Sequence, residues 1–419
     1  MSGAAADRRP RARLLAYRAA LVAAVAYCVA GGVGARWFPA DGLDLYVSYV
    51  AGTVARGGTS PYDHAAYLET CARLAPPGGV HVACVLPFAY PPAWIPFAMV
   101  LSLAPWGLAL AGWKLVSAAC LAGIVLLTVR VLYADALDAC DRLAVWCFAL
   151  TLSPTMSVLT LGQSSLFIVC MLVLSAACLA RGRRGGAGLA LALAAIKPQL
   201  AAPFVLFLLV RAELGVLALG AAGNAALAGV GLYASGVRLD AYLDAAARWS
   251  GNNPSTSHIA VGIAKLLGHL TSLDLASVTA IGMLASVVLV GAVAVGRARG
   301  GARAGIADVL PVVLFAAPLG FRCNAYDMVA LIPLFAWARA RGTPTRLGYA
   351  IQALLLVLLV PRGALRLLYE RLAVGLVSYD AYYVAETSFR SWILVLLVPP
   401  VLMAWRARLA AVSPEDRRD

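Results

Sequence analysis

The stretch AGLALALAAIKPQLAAPFVLFLLV, residues 187–210, holds two apolar runs, 187–196 and 199–210, on either side of Lys197-Pro198. As helices, runs of this length cover only ~15–18 Å, against a hydrocarbon core of ~30 Å. A re-entrant hairpin over 187–210, with Lys197-Pro198-Gln199 at its apex, satisfies both lengths. Backbone freed at such a break is tolerated only where it faces protein or a water-filled cavity. The pair therefore predicts a polar cavity that opens to the outer face of a membrane protein.

The rest of the chain agrees with that class. It has 419 residues, 62% hydrophobic and 13% charged, with a mean hydropathy of +0.84. Soluble domains are about half apolar and about a quarter charged, so the composition excludes a cytosolic globular enzyme and low-complexity disorder. We expect an all-α polytopic membrane protein, one integral membrane domain over 1–419, with about 10–13 transmembrane or re-entrant helices. Further apolar runs stand at 14–35, 87–104, 107–130, 143–160, 164–180, 214–236, 259–296, 304–320, 326–338, 347–361 and 391–405. The first follows Arg8-Arg9-Pro10-Arg11-Ala12-Arg13. It is long for a signal-peptide core and right for a span, which makes it an uncleaved first helix with a cytoplasmic N-terminus.

The net charge of +14 is almost all arginine, since lysine occurs only at 114, 197 and 265. Arginines cluster at 8–13, 181–184, 297–303, 339–346 and 406–408, between apolar runs. The positive-inside rule explains this pattern as cytoplasmic loops, without nucleic-acid binding. An even number of crossings must then separate any two clusters, yet five runs lie between the first two. One of them is not a full span; the weakest are those around Ser153-Pro154 and Gly162-Gln163, which polar and helix-breaking residues interrupt. The segments 36–86, 237–257, 320–326 and 362–390 fall outside, and 36–86 is a long first outer loop. Ala- and Arg-rich usage suits a bacterial inner membrane protein with its working face toward the periplasm.

Nine cysteines form no CxxC pair and no zinc spacing. Cys71 and Cys84 share the first outer loop and would pair only in an oxidising compartment. Neither a phosphate-cradling glycine loop nor a GxSxG or HExxH motif occurs.

A few polar residues carry possible chemistry. Asp41 and Asp44, three positions apart just past the first helix, are either a solvated linker or a cap, or supply a general base at the membrane surface. Lys197, between Ile196 and Pro198, is a functional candidate by default and suits a phosphate, or it snorkels to an interface. Tyr90 precedes Pro91-Pro92, and Gln163 interrupts two runs; each is also ordinary punctuation. Arg322, Asn324, Tyr326 and Asp327 bound one short outer segment, where Arg322 and Asp327 either pair or line the cavity. Asn253 and His258 lie in an amide- and hydroxyl-rich loop that suits a sugar but also simply suits a loop.

In order, Asp44-Leu45-Tyr46-Val47, Gly58-Thr59-Ser60-Pro61-Tyr62-Asp63, Pro87-Phe88-Ala89-Tyr90-Pro91-Pro92, Gly162-Gln163, Ile196-Lys197-Pro198 and Tyr326-Asp327 resemble glycosyltransferase family 87. The resemblance spans residues 41–327 and implies a multi-helix fold of the GT-C superfamily. It also implies a lipid-phosphate sugar donor, polyprenyl-phosphate-mannose in the best-known members, and inversion at the anomeric carbon. The acceptor would be a glycolipid or glycan, with membrane lipids around it. We expect no cofactor and no metal, although Asp41 and Asp44 could hold a divalent ion. Carried over, Asp44 matches the loop aspartate taken as general base; Tyr62, Tyr90, Gln163 and Lys197 match cavity positions. Some relatives carry histidine near Tyr326-Asp327, where this chain has Asn324. The competing class is a transporter or flippase for a lipid-linked or anionic substrate, which also uses broken helices and a midplane lysine.

Overall fold

A computed structural model describes residues 8–33, 41–74, 88–252, 260–299, 305–341, 343–361, 364–365, 367–368, 371 and 379–410. The helices run α1 (Arg8–Cys28), α2 (Leu43–Arg56), α3 (His64–Leu74), α4 (Ile95–Leu101), α5 (Trp106–Leu127), α6 (Ala139–Thr151) and α7 (Ser153–Leu161). They continue as α8 (Ser165–Ala180), α9 (Arg184–Ala194), α10 (Pro198–Val210), α11 (Leu214–Ser235) and α12 (Leu239–Asn252). A two-residue strand, β1 (Ala260–Val261), leads into α13 (Ile263–Leu270), α14 (Leu275–Arg299) and α15 (Ile306–Gly320). Then come β2 (Cys323–Asn324), a 3₁₀ segment Ala325–Leu331, α16 (Ile332–Arg339), α17 (Thr345–Val357) and α18 (Tyr379–Ala410).

Among the described residues, five helical stretches are long and apolar enough to cross a membrane: Ala12–Gly31, Trp106–Leu132, Leu214–Ser235, Leu275–Gly296 and Val384–Ala410. They leave apolar side chains such as Val22, Leu115, Leu284 and Met403 exposed, as helices at a lipid boundary do. The short helix α15 is the opposite, with every residue from Val309 to Gly320 buried. A helix apolar on all sides belongs at the centre of the bundle. The protein is a mostly helical, multi-pass membrane protein.

Arginine-bearing turns gather at one end. Arg13 and Arg339 reach Asp141 at 4.0 and 2.7 Å. Arg408 pairs with Asp308 at 2.5 Å and donates to the Arg341 carbonyl at 3.1 Å. Gly182, Arg184, Arg211 and Gly305 line one cleft beside them. Arg184 also meets Glu213 at 3.3 Å, so α9 begins where α10 ends. The two short helices therefore form a hairpin with Lys197 at the far point.

Several elements depart from the sequence reading. Segment 36–86, expected as a polar outer segment with helical patches, is two helices in its described part, 41–74, and α2 is mostly buried. Gly52 lets α2 approach α4 so closely that a Cβ there would lie 2.0 Å from the Ala98 carbonyl oxygen. The run that fails to cross is 87–104. It contains only a short helix, Pro92–Leu101, bounded by Pro91-Pro92 and Pro105. Tyr49 and Arg56 of α2 donate to the carbonyls of Ala104 and Ser102 at its exit, which returns the chain to the end it left. The run 143–160 is instead α6 and α7, bent by 49° at Leu152-Ser153. The run 259–296 is broken at Gly262 and again at 271–274. Segment 362–390 is not all outer loop, because α18 begins at Tyr379 and buries Glu386 and Arg390. Cys71 is buried and disulfide-bonded; Cys84 lies outside the described residues.

Candidate active site

Two glycines bring the first polar segment onto the bundle. Gly42 takes φ +76° and its N–H donates to the Thr160 carbonyl at 2.7 Å. Gly162 ends α7 at φ +71°, and a Cβ there would lie 2.6 Å from the Leu45 Cβ. Only glycine fits both the left-handed backbone and the approach. The first turn of α2, which carries Asp44, therefore sits directly against Gln163.

Gln163 is buried and joins two groups. Its amide Nε2 donates to the Asp44 carboxylate, and its Oε1 accepts from the Tyr90 hydroxyl at 3.4 Å. The donor and acceptor ends of the amide are thus both assigned. Tyr90 is held in turn, because its ring stacks on Trp94 at 5.3 Å and the Tyr62 hydroxyl donates to its carbonyl at 2.8 Å. Burial pushes the Tyr62 phenol well above its ordinary range, which suits a permanent donor. Tyr62 supports Tyr90 from behind.

The second group lies two residues along the chain, at Ser165. Pro198 occupies the first turn of α10 and excludes Lys197 from helical geometry, leaving it at φ −116° and ψ 82°. The ammonium of Lys197 reaches Asp327 Oδ1 at 2.5 Å and Ser165 Oγ at 3.0 Å, and lies 4.9 Å from the Tyr326 ring centre. Ser165 donates to the same Asp327 oxygen at 2.6 Å. The other oxygen, Oδ2, accepts the Asn324 backbone N–H at 2.9 Å, closing a capping box on the 3₁₀ segment. Asp327 is 0% exposed and Lys197 5%. Asn324 also donates its side-chain amide to the Tyr326 hydroxyl, and β2 pairs with β1 to fix this strand end.

This geometry changes how several candidates read. Lys197, expected as a cation for a phosphate, has its charge balanced by Asp327. Asp327 pairs with Lys197 across the bundle, not with its near neighbour Arg322. Both oxygens of Asp41 are taken by Lys114, at 2.7 and 3.0 Å, so Asp41 stands apart from a two-carboxylate site with Asp44. Arg322 is half-buried beside β2. Asn253 and His258 lie outside the described residues. Among the described residues no three of His, Cys, Asp and Glu gather as metal ligands do.

Two contributors went unread in the sequence, Ser165 and Lys114. The signal for Lys114 was its rarity, since lysine occurs only three times in this arginine-rich chain, and all three lysines prove to be buried. Another buried charge, Arg390, bonds Glu386 at 2.9 Å and Ser153 at 3.1 Å, at the bend between α6 and α7.

Compared with known families, the sequence matches the pattern of glycosyltransferase family 87 over residues 88–320, more than half of the chain. The chain belongs to glycosyltransferase family 87. The family region takes in Tyr90, Gln163, Ser165 and Lys197, and the fold adds Asp44 and Asp327 from either side of it. Membership supports glycosyltransferase activity at the family level and a broadly GT-C-like architecture. No match was found among curated proteins.

Proposed function

We propose that this family 87 protein transfers a sugar, mannose before other hexoses, from a polyprenyl-phosphate carrier to a hydroxyl of a glycolipid or glycan acceptor. The observation that carries the reading is the Tyr90–Gln163–Asp44 chain. It holds one partly exposed carboxylate by a fixed amide donor at the mouth of a bundle. Asp44 takes the acceptor hydroxyl proton as that oxygen attacks C1 of the sugar. The new C1–O bond forms on the face opposite the breaking C1–O(phosphate) bond, so the configuration inverts. Polyprenyl phosphate departs as a stable anion and needs no proton at that moment. Arg322 is the cation we assign to the charge developing on it. The Lys197–Asp327–Ser165 group keeps Gln163 in place.

The reaction belongs on the outer side of the inner membrane. Helix α8 separates Gln163 from Arg181 by ~24 Å of rise, and the arginine-rich end is the one the positive-inside rule assigns to the cytoplasm. A disulfide at Cys71 suits an oxidising compartment on the opposite side. The re-entrant reading of 187–210 fits the same orientation, with its apex at the site.

The test uses purified protein in nanodiscs, polyprenyl-phosphate-mannose with labelled sugar, and membrane-lipid acceptors. Wild type should release polyprenyl phosphate, and Asp44→Asn should lose turnover while still binding donor. Equal release by both would remove Asp44 as base. Donor binding without turnover in the wild type, across several sugars, would favour a transporter.

A further inference from the structure

A cleft of about 480 Å³ opens at the arginine-rich end between α1, the end of α5 and the start of α6. It lies at the other end of the bundle from Asp44 and takes no part in the sugar chemistry above. Arg18, Arg130 and Arg142 line it, with Asp138 as the one acid among its walls. That acid is already engaged, since Asp138 Oδ1 accepts the Asp141 N–H at 2.7 Å in the capping box that starts α6. Asp141, the next acid, is bound by Arg339. Among the described residues that line the cleft, three arginines face one acid, a net positive charge.

Two details set how the arginines are held. Arg142 donates Nη2 to the Ala134 carbonyl at 2.5 Å, but its Nε is buried and has no hydrogen-bond partner among the described residues. That Nε is closed off by the surrounding protein, so Arg142, itself only half-buried, meets a ligand through the rest of its guanidinium. Arg130 stands in a π-helical turn, Thr128–Leu132, closed by the Tyr133 N–H on the Thr128 carbonyl at 3.0 Å. Wide turns of this kind recur at functional sites, where they re-aim a side chain. The remaining walls are apolar or amphipathic: Leu126, exposed on α5, and Trp146, which suits the boundary between headgroups and acyl chains.

We propose that this cleft binds the headgroup phosphate of an anionic phospholipid, with its acyl chains along α1 and α5. Basic pockets between spans on this side of a membrane protein are suited to such headgroups. The fork of Arg142 and the exposed Arg18 and Arg130 match phosphate oxygens, and the apolar walls distinguish a lipid from a free phosphate.

Native mass spectrometry of the full chain, titrated with phosphatidylglycerol or phosphatidylcholine, tests this. Wild type should retain phosphatidylglycerol in preference to phosphatidylcholine. Each exposed arginine removed should weaken that binding about fivefold, so Arg18→Gln with Arg130→Gln loses about thirtyfold. Arg181→Gln with Arg183→Gln, exposed at the same end but outside the cleft, should lose less than about twofold, because those charges are screened within about 10 Å. Arg130→Gln alone leaves no buried group unpaired and serves if the double variant fails to fold. Equal losses in both double variants, or no loss in Arg130→Gln, would overturn the proposal in favour of a diffuse basic surface. Displacement of the lipid by an equimolar amount of free glycerol phosphate would overturn it too, since the headgroup alone would then suffice.

Discussion

The Lys197–Asp327 pair makes a sharp prediction, because it separates a cation for substrate from a cation for the fold. Lys197→Met leaves Asp327, 0% exposed, with Ser165 and the Asn324 N–H but no counter-charge. Breaking a buried ion pair from one side costs about 3–5 kcal/mol, whereas removing both charges together is far cheaper. Asp327→Asn by itself leaves the ammonium of Lys197 buried at 5% exposure with Ser165 and the Tyr326 ring, and should cost a similar amount. The double variant Lys197→Met, Asp327→Asn should be more stable than either single one, which requires a coupling larger than either single cost, above about 3 kcal/mol and beyond the usual range for contacting pairs. Detergent-denaturation midpoints of the four proteins, followed by tryptophan fluorescence, supply the cycle. If Lys197→Met alone were neutral, or the double variant as unstable as the sum of the singles, the pair would not be structural. Lys197 would then return as a phosphate ligand.

Two further outcomes follow from the same geometry. Gln163→Leu keeps the bulk but removes the donor to Asp44 and the acceptor for Tyr90; turnover should fall by about 10²-fold, in line with loss of one positioned group, with donor binding little changed. Rescue of turnover by Gln163→Asn, whose shorter amide fails to span the two groups, would argue against the positioning role. Gly162→Ala forces a Cβ to 2.6 Å from Leu45 at φ +71° and should cost more than about 1 kcal/mol. Its activity should fall further than its stability, since the clash displaces the turn that carries Asp44; equal melting curves with wild type would refute the close approach.

Much of this arrangement was written in local chemistry. The length of the runs on either side of Lys197-Pro198 announced two short helices broken at a buried lysine, and Gly162-Gln163 announced a break. The arginine clusters marked one end of the molecule before any contact was known. What the sequence hid was partnership. Lys197 and Asp327 are 130 positions apart and Gln163 and Asp44 are 119, so no periodicity links them. The run 87–104 passed for a span because hydropathy counts apolar residues and not direction. Its prolines and the reach of Tyr49 and Arg56 turn it back. Glu386 and Arg390 read as loop residues because charge suggests water, yet at i and i+4 on one helix each neutralises the other away from solvent.

On the proposed function, the two carboxylates joined to the Gly162-Gln163-Ser164-Ser165 corner do different work. Asp327 has one oxygen on Lys197 and Ser165 and the other on the Asn324 N–H, and none of it is exposed. A base must meet an incoming hydroxyl, and a carboxylate whose two oxygens are occupied in a closed interior has no path to one. Asp44 stands at the first turn of α2, partly exposed, with Gln163 fixing its direction. Helix starts also favour the charged form of an acid, through the unpaired N–H groups of the first turn. The same Gly162-Gln163-Ser164-Ser165 corner thus ties one acid into the fold through Ser165 and bonds the other, at the partly exposed start of α2, through Gln163. On the proposed function, a single break in a membrane helix in this way separates support from chemistry.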